Sequence, residues 1–165
     1  MSESLSTAKR LVVKIGSALL VDEESGRIRR DWLDALADDL KAIRDGGTDV
    51  LVVSSGAIAV GRRHLGLTHG SIRLEEKQAA AASGQIQLAH AYQEALARHD
   101  ISVAQVLLTY SDLADRQRAM KVKATLNTLL GWGIIPIINE NDSVTTDDIT
   151  LGDNDRLAAQ VSKLL

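Results

Sequence analysis

Short apolar runs alternate along the chain with segments whose apolar residues recur at helical spacing. Buried strands are predicted from the apolar runs at 10–15, 49–54, 101–109 and 131–138. Helices are predicted from the spacing over 31–45, 57–65, 75–98 and 112–130, with a last helix over 154–165. This alternation is typical of an α/β fold with a doubly wound, mostly parallel sheet and helices on both faces.

The remaining segments predict where the domain begins and how its parts are joined. Residues 1–9 are polar and predict a disordered start, so the domain is assigned to 10–165. Residues 17–30 predict a loop or hairpin with Gly26 at a turn, and Ser111 or Asp112 is the predicted cap of the fourth helix. No strand follows the last amphipathic helix, so the sequence resembles the first part of a longer domain.

Composition narrows the classes of function. The chain has 165 residues, 45% of them hydrophobic, which fits one domain with a substantial core. No apolar run approaches the ~20 residues that cross a membrane, and the N-terminus does not resemble a secretory signal. Cysteine is absent, which excludes disulfides and is compatible with a reducing cytoplasm. A net charge of −3 gives no basic surface for nucleic acid.

Two clusters of Asn and Asp suggest a polar binding site. The first, 139–142, directly follows an apolar run, and the second, 152–155, precedes the last helix. Each alone has an ordinary explanation, since Asn and Asp form turns and Asp153 is a natural helix cap. Two clusters that flank one short connection at the carboxyl edge of a sheet favour a ligand site, because open α/β sheets bind ligands there.

Lys14 interrupts an apolar strand just before Gly16 and Ser17. A lysine there either meets an anion at the end of the strand or extends its ammonium to solvent from an edge strand. Gly16 permits close approach of the backbone, and free N–H groups in such a turn bind phosphate. The residues alone do not decide between the two interpretations.

Ser54, Ser55, Gly56 and Ala57 join a buried strand to the start of a helix. Free N–H groups at that end attract a carboxylate or a phosphate, although an ordinary serine cap is the better explanation of this pattern taken alone. A hydrolase nucleophile at Ser55 fits the sequence poorly because Gly-x-Ser-x-Gly is absent. The four histidines fit no metal motif, and the common nucleotide-binding motifs are missing as well.

Five sequence blocks together resemble one family, the glutamate 5-kinases of the amino-acid kinase superfamily. They are VVKIGSALL (12–20), VSSGAIAVG (53–61), QAAAASGQ (78–85), PIINEND (136–142) and GDNDRLAA (152–159). The resemblance covers nearly all of the chain after residue 9, and the spacing of the blocks is what makes it specific.

The resemblance implies an amino-acid kinase fold and the ATP-dependent, Mg²⁺-requiring phosphorylation of the γ-carboxylate of L-glutamate, the first step of proline biosynthesis. It further implies a cytoplasmic homo-oligomer that proline inhibits at the glutamate site, with no nucleic-acid or membrane partner. The ligands of Mg²⁺ are not assigned.

Site residues are carried over from the family by position. The implied glutamate-binding residues are Ser55, Asn139, Asp142 and Asn154. The implied phosphate-binding residues are Lys14, Gly16, Ser17 and Gly56. Lys14 and Asp155 are the implied catalytic residues, with Lys14 on the transferring phosphate and Asp155 orienting lysines around it.

The chain departs from the family in two respects. The family continues past residue 165 with most of the adenine pocket and a second catalytic lysine, so we expect the chain alone to be inactive. Residues 119–123 replace an expected aromatic residue followed by Leu-Asn-Ala-Arg, which affects helix packing or a subunit contact. Two alternatives to a glutamate 5-kinase are a non-catalytic module that binds glutamate or proline, and another kinase that forms an acyl phosphate.

Overall fold

A computed structural model of the chain describes residues 7–67, 70–145 and 153–165. Most of the predicted disordered start lies outside these residues, as do His69, Gly152 and most of the stretch between the two Asn/Asp clusters. Within the described start, Ala8 and Lys9 are bonded to the fold, because their carbonyls accept from Thr48 Oγ1 and from Asp49 N.

Four strands form one sheet, and all of their pairings are parallel, which confirms the predicted fold class. The spatial order is β1-β2-β4-β3, so the last strand inserts between the second and third. The strands are β1 (Arg10–Ile15), β2 (Asp49–Ser54), β3 (Val103–Leu108) and β4 (Ile135–Glu140). The first two have the predicted bounds, and the last two begin two to four residues later than predicted.

Helices connect the strands and cover the sheet. They are α1 (Ser17–Leu20), α2 (Arg30–Asp45), α3 (Ala57–His64), α4 (Leu74–Ala97), α5 (Tyr110–Ala114), α6 (Arg116–Gly131) and α7 (Asp153–Leu164). In the described part of the chain, none of these helices is both long and apolar enough to cross a membrane.

The predicted fourth helix is in fact two helices, and the predicted cap is wrong. Thr109 caps α5 and accepts from the backbone N–H of Asp112, whose carboxylate accepts in return from Thr109 N at 2.7 Å. That bond is the main reason that the pKa of Asp112 lies below its usual value. Asp115 then caps α6 by accepting from Arg118 N, and its extended backbone separates the two helices.

Two hydrophobic cores lie on opposite faces of the sheet. Successive residues of β2 alternate between them, so that Val50 and Val52 join one core while Leu51 and Val53 join the other. The first core contains buried residues of α2, α3 and α4, and the second contains those of α6 and α7. This double burial explains why the two central strands, β2 and β4, are mostly apolar.

Helices α3 and α4 pack with their backbones in direct contact. An added Cβ at Gly61 would lie 1.7 Å from the carbonyl oxygen of Ala80, and one at Gly84 would lie 1.8 Å from that of Ala57. Because both obstacles are backbone atoms, only glycine fits at either position. The contact places α4 against the first turn of α3, directly after Ser55 and Gly56.

The segment between β1 and α2 is partly helical, which the loop prediction missed. It contains the four-residue α1, followed by a hairpin-like turn closed by an antiparallel bridge between Val21 and Ile28. Gly26 lies at that turn with a φ of 65°, as predicted.

Candidate functional site

The carboxyl ends of the parallel strands lie at one edge of the sheet, and the predicted site residues follow three adjacent strands there. One direct contact joins distant parts of the sequence, since Asn154 Nδ2 donates to Ser55 Oγ at 2.9 Å. Ser55 follows β2, whereas Asn154 lies in the first turn of α7, 99 positions later. The structure therefore brings together the β2–α3 turn and the second Asn/Asp cluster.

Lys14 and Asp155 form the second contact of the site. The ammonium nitrogen of Lys14 lies 2.7 Å from Asp155 Oδ1, with the two side chains 32% and 63% exposed. An added Cβ at Gly16 would lie 3.5 Å from the same nitrogen, at ordinary van der Waals distance, so the glycine turn lies directly beside the cation. A half-exposed pair of this kind contributes at most about 1 kcal/mol to stability. Its partial exposure and its position at the carboxyl edge of the sheet suit a role in ligand binding better than one in folding.

Ser17 and Gly56 connect these two contacts. Gly56 has a φ of 99°, and an added Cβ would lie 3.7 Å from Ser17 Cβ and 2.9 Å from a methyl group of Val21. The left-handed backbone and this crowding both require glycine. The turn after β1 and the turn after β2 are therefore neighbours, as the parallel pairing of Lys14 with Val53 also indicates.

The first Asn/Asp cluster lies beside them, at the end of β4. Asn139 is 3% exposed and its Oδ1 accepts from Glu140 N at 2.8 Å. Asp142 is 8% exposed and lines a cleft of about 220 Å³ between β4, β3 and α4. This cleft lies between β4 and β3, whereas Ser55 follows β2 on the other side of β4, and the loop that carries Asp142 leaves the end of β4 between the two.

Helix α4 connects the cleft to the Ser55 turn. Gly84 contacts the carbonyl of Ala57, and the next residue, Gln85, lines the cleft together with Asp142. Gln85 is 8% exposed, its Oε1 accepts from Gln105 Nε2 at 2.9 Å, and its Nε2 has no hydrogen-bond partner among the described residues. Sequence reasoning did not assign Gln85 to the site, although it closes the QAAAASGQ block.

The loop after β4 is tied to α4 as well. Gln78 Nε2 donates to the carbonyl of Thr145 at 2.9 Å, and Thr145 Oγ1 donates to the carbonyl of Asn141 at 3.0 Å. These bonds fix the described part of the acidic loop to the same helix that supports the Ser55 turn.

A larger cleft of about 260 Å³ lies between residues 17–26 and α3. Its two arginines already bond to backbone carbonyls: Arg62 donates to Leu67 and Gly70, and Arg63 donates to Ser25. Of the predicted site residues it includes only Ser17. We therefore place the candidate site at Ser55 and Asp142 rather than here.

Metal-binding clusters were not expected from the histidines. Within residues 7–67, 70–145 and 153–165, no group of three or more His, Cys, Asp or Glu side chains could hold a metal ion. His90 and His99 instead lie beside carboxylates of the surface, Glu94 and Asp38 respectively.

Comparison with known proteins shows the family of the chain. Residues 9–165 match the amino acid kinase family. The chain belongs to this family. Among similar proteins are the glutamate 5-kinase of Paramagnetospirillum magneticum, 59% identical over 161 residues, and that of Dinoroseobacter shibae, 60% identical over 159 residues. These alignments cover 98% and 96% of the chain but 43% of each relative, so the chain spans less than half their length.

A solved structure agrees with the fold. The UMP kinase from Bacillus anthracis superposes with a TM-score of 0.62 at 18% identity, covering 94% of this chain and 60% of that one. At this identity the likeness concerns the fold alone, and it supports the amino-acid kinase fold predicted from the sequence blocks.

The unusual segment 119–123 packs without an aromatic residue. It lies inside α6, where Ala119 is buried and Val122 packs against the second core, while Met120 is 57% exposed. The helix therefore fits the described sheet with small residues at the positions that face it.

Proposed function

We propose that this chain is the glutamate-binding part of a glutamate 5-kinase, which transfers the γ-phosphoryl group of ATP to the γ-carboxylate of L-glutamate. The observation that carries the proposal is the bond between Asn154 and Ser55, because it joins two predicted glutamate-binding residues from distant parts of the sequence. The high identity to glutamate 5-kinases supports the same substrate.

The hydrogen-bonding groups at Ser55 suit an amino acid. Ser55 Oγ accepts from Asn154 Nδ2, so its own proton remains available to a carboxylate of the ligand. Asn154 Oδ1 is buried and has no partner among the described residues, which makes it an acceptor for a ligand N–H group. One donor and one acceptor side by side match a carboxylate and an ammonium on neighbouring atoms.

Asp142 is assigned to the ammonium group of glutamate. A carboxylate in this position attracts the α-ammonium and repels both carboxylates, so it selects the orientation of the substrate. Asn139 completes the proposed glutamate-binding set from the end of β4.

Lys14, Gly16, Ser17 and Gly56 are assigned to the phosphate. The γ-carboxyl group of glutamate ordinarily has a pKa of about 4.3, so the attacking carboxylate is ionised at neutral pH and needs no general base. The obstacle is repulsion between anions, since two unit charges ~4 Å apart cost about 4 kcal/mol at an effective dielectric constant of ~20. Lys14 offsets this repulsion, and Asp155, 2.7 Å from its ammonium, orients it.

ATP and Mg²⁺ are part of the proposal. Lys14, which lies beside the Gly16 turn, would hold a phosphate group, and bound Mg²⁺ would supply further positive charge to the transferring phosphoryl group. From the family resemblance we also propose a cytoplasmic location, where ATP is supplied. The same resemblance is the basis for proposing self-association and inhibition by proline.

Calorimetry of the 165-residue chain tests the proposal. We expect L-glutamate to bind and N-acetyl-L-glutamate to bind at least about tenfold more weakly, because acetylation removes the ammonium charge that Asp142 and Asn154 would bind. L-Aspartate, which is one methylene shorter, should also bind more weakly. No ADP should be released from ATP, because the chain spans only 43% of the similar kinases.

The outcomes separate the candidate functions. Preference for N-acetyl-L-glutamate or L-aspartate would overturn the choice of glutamate in favour of another kinase that forms an acyl phosphate. Steady ADP release from the chain alone would contradict the expectation that the chain binds glutamate but does not phosphorylate it. Failure of all three ligands to bind would overturn the proposed substrate site.

A further inference from the structure

Directly beneath the Ser55 turn lies a buried pair of hydroxyl groups that no role above explains. Ser54 is 1% exposed and Tyr92 is 1% exposed, and their side-chain oxygens lie 3.0 Å apart. Ser54 is the last residue of β2, and Tyr92 faces it from the C-terminal half of α4. In an otherwise apolar core, alanine and phenylalanine at these positions would pack without any hydrogen-bonding requirement.

The direction of the hydrogen bonds follows from counting protons. Ser54 Oγ donates to the carbonyl oxygen of Ser55 at 3.3 Å, which uses its only proton. With its proton used in this way it accepts from Tyr92, and this arrangement makes the Tyr92 hydroxyl the donor. Burial raises the pKa of the Tyr92 phenol, so this donor stays protonated through the neutral and moderately alkaline range.

The chain of bonds ends on the peptide group between Ser55 and Gly56. In a trans peptide the carbonyl and the N–H point in opposite directions, so a carbonyl held towards Ser54 turns the Gly56 N–H the other way. That N–H has no hydrogen-bond partner among the described residues. Gly56 is the residue just before α3, in the same turn that carries Ser55 Oγ. A free donor at this end of a helix can bind a ligand anion.

We propose that Tyr92 is a positioning residue, which acts through Ser54 to fix the Ser55–Gly56 peptide so that the Ser55 hydroxyl faces the bound amino acid and the Gly56 N–H faces the phosphate beside it. This inference rests on the proposed function for its ligand, but the orientation of the peptide is a property of the free chain. The aromatic ring of Tyr92 packs in the core, and only its hydroxyl has the positioning role.

The test compares Tyr92→Phe, which removes the hydroxyl and keeps the ring, with Tyr110→Phe as a matched control. Tyr110 lies under the guanidinium of Arg156, and its ring alone makes that contact. We expect Tyr92→Phe to weaken L-glutamate binding about tenfold in calorimetry well below its melting temperature, and Tyr110→Phe to leave binding unchanged. A merely structural role would lower the melting temperature of Tyr92→Phe without changing the dissociation constant.

Three further variants test the route through Ser54. Ser54→Ala should weaken binding as much as Tyr92→Phe, the double variant should be no worse than either single variant, and Ser54→Thr should retain affinity because it keeps the hydroxyl. Losses that multiply in the double variant, or an unchanged dissociation constant in Tyr92→Phe, would overturn the inference.

A measurement without ligand separates this inference from the proposed function. The amide ¹H–¹⁵N resonance of Gly56 should shift in Tyr92→Phe and Ser54→Ala relative to the unsubstituted chain, and stay in place in Tyr110→Phe. If glutamate does not bind the unsubstituted chain, the substrate assignment fails while the Gly56 resonance still decides the orientation of the peptide. A resonance that does not move in Tyr92→Phe would overturn the positioning role.

Discussion

Replacing Gly84 with alanine should destabilise the chain by about 3 kcal/mol, among the largest effects that a single added methyl group produces in a well-packed core. The new Cβ would lie 1.8 Å from the carbonyl oxygen of Ala57 and 2.7 Å from its carbon. Neither backbone atom can move by a rotamer change, so α3 and α4 must separate. In thermal unfolding we expect the melting temperature to fall by about 6–12 °C.

Gly131→Ala is the matched control for this substitution. Gly131 is the last residue of α6, and an added Cβ there meets nothing within 4 Å. Since alanine favours a helix over glycine by up to about 1 kcal/mol, this variant should be as stable as the unsubstituted chain or slightly more so. If Gly84→Ala melts within about 2 °C of Gly131→Ala, the two helices are not in backbone contact.

Asp142→Asn should weaken L-glutamate binding about 30-fold, or about 2 kcal/mol, because it removes the negative charge that the proposal pairs with the α-ammonium. The amide keeps the size of the side chain, so packing in the cleft is preserved. Calorimetry should show the loss for L-glutamate and a much smaller change for N-acetyl-L-glutamate, which lacks the ammonium charge.

Asp45→Asn makes the same chemical change elsewhere. Asp45 ends α2 next to Lys41 on the surface, at the edge of the sheet opposite the candidate site. It should bind L-glutamate as the unsubstituted chain does. Equal affinity of Asp142→Asn and Asp45→Asn would show that Asp142 does not bind the ammonium group.

The strands of the sheet could be predicted because burial on both faces requires apolar residues at successive positions along a strand. β2 is a nearly continuous apolar run and β1 is an apolar run interrupted by Lys14, and the turns after them contain Gly16 and Gly56. The order of the strands was not predictable in this way. Insertion of β4 between β2 and β3 depends on contacts between segments that are far apart in the sequence.

Local signals also failed where four plausible caps compete. The sequence offers Thr109, Ser111, Asp112 and Asp115 within seven residues, and any of these side chains can cap a helix. The structure uses Thr109 for α5 and Asp115 for α6. The choice depends on how both helices pack, and the capping propensities of the residues carry no information about that packing.

For the candidate site, the sequence was a better guide to the identity of the residues than to their arrangement. Lys14, Ser55 and Asn154 stood out as polar residues at the ends of apolar segments. That Lys14 would contact Asp155, and Ser55 would contact Asn154, follows only from the three-dimensional placement of α7. Tyr92 gave no signal, because a tyrosine in an alanine-rich helix is usually an ordinary core residue.

The central claim is that an amino-acid ligand binds between the Ser55 turn and the two Asn/Asp clusters. A crystal structure of the chain with L-glutamate tests it most directly. The account predicts one carboxylate of glutamate within hydrogen-bond distance of Ser55 Oγ, and its ammonium within the same distance of Asn154 Oδ1 and the Asp142 carboxylate. Glutamate bound in the larger cleft beside Arg62, or anywhere that leaves Ser55 without a ligand contact, would contradict it.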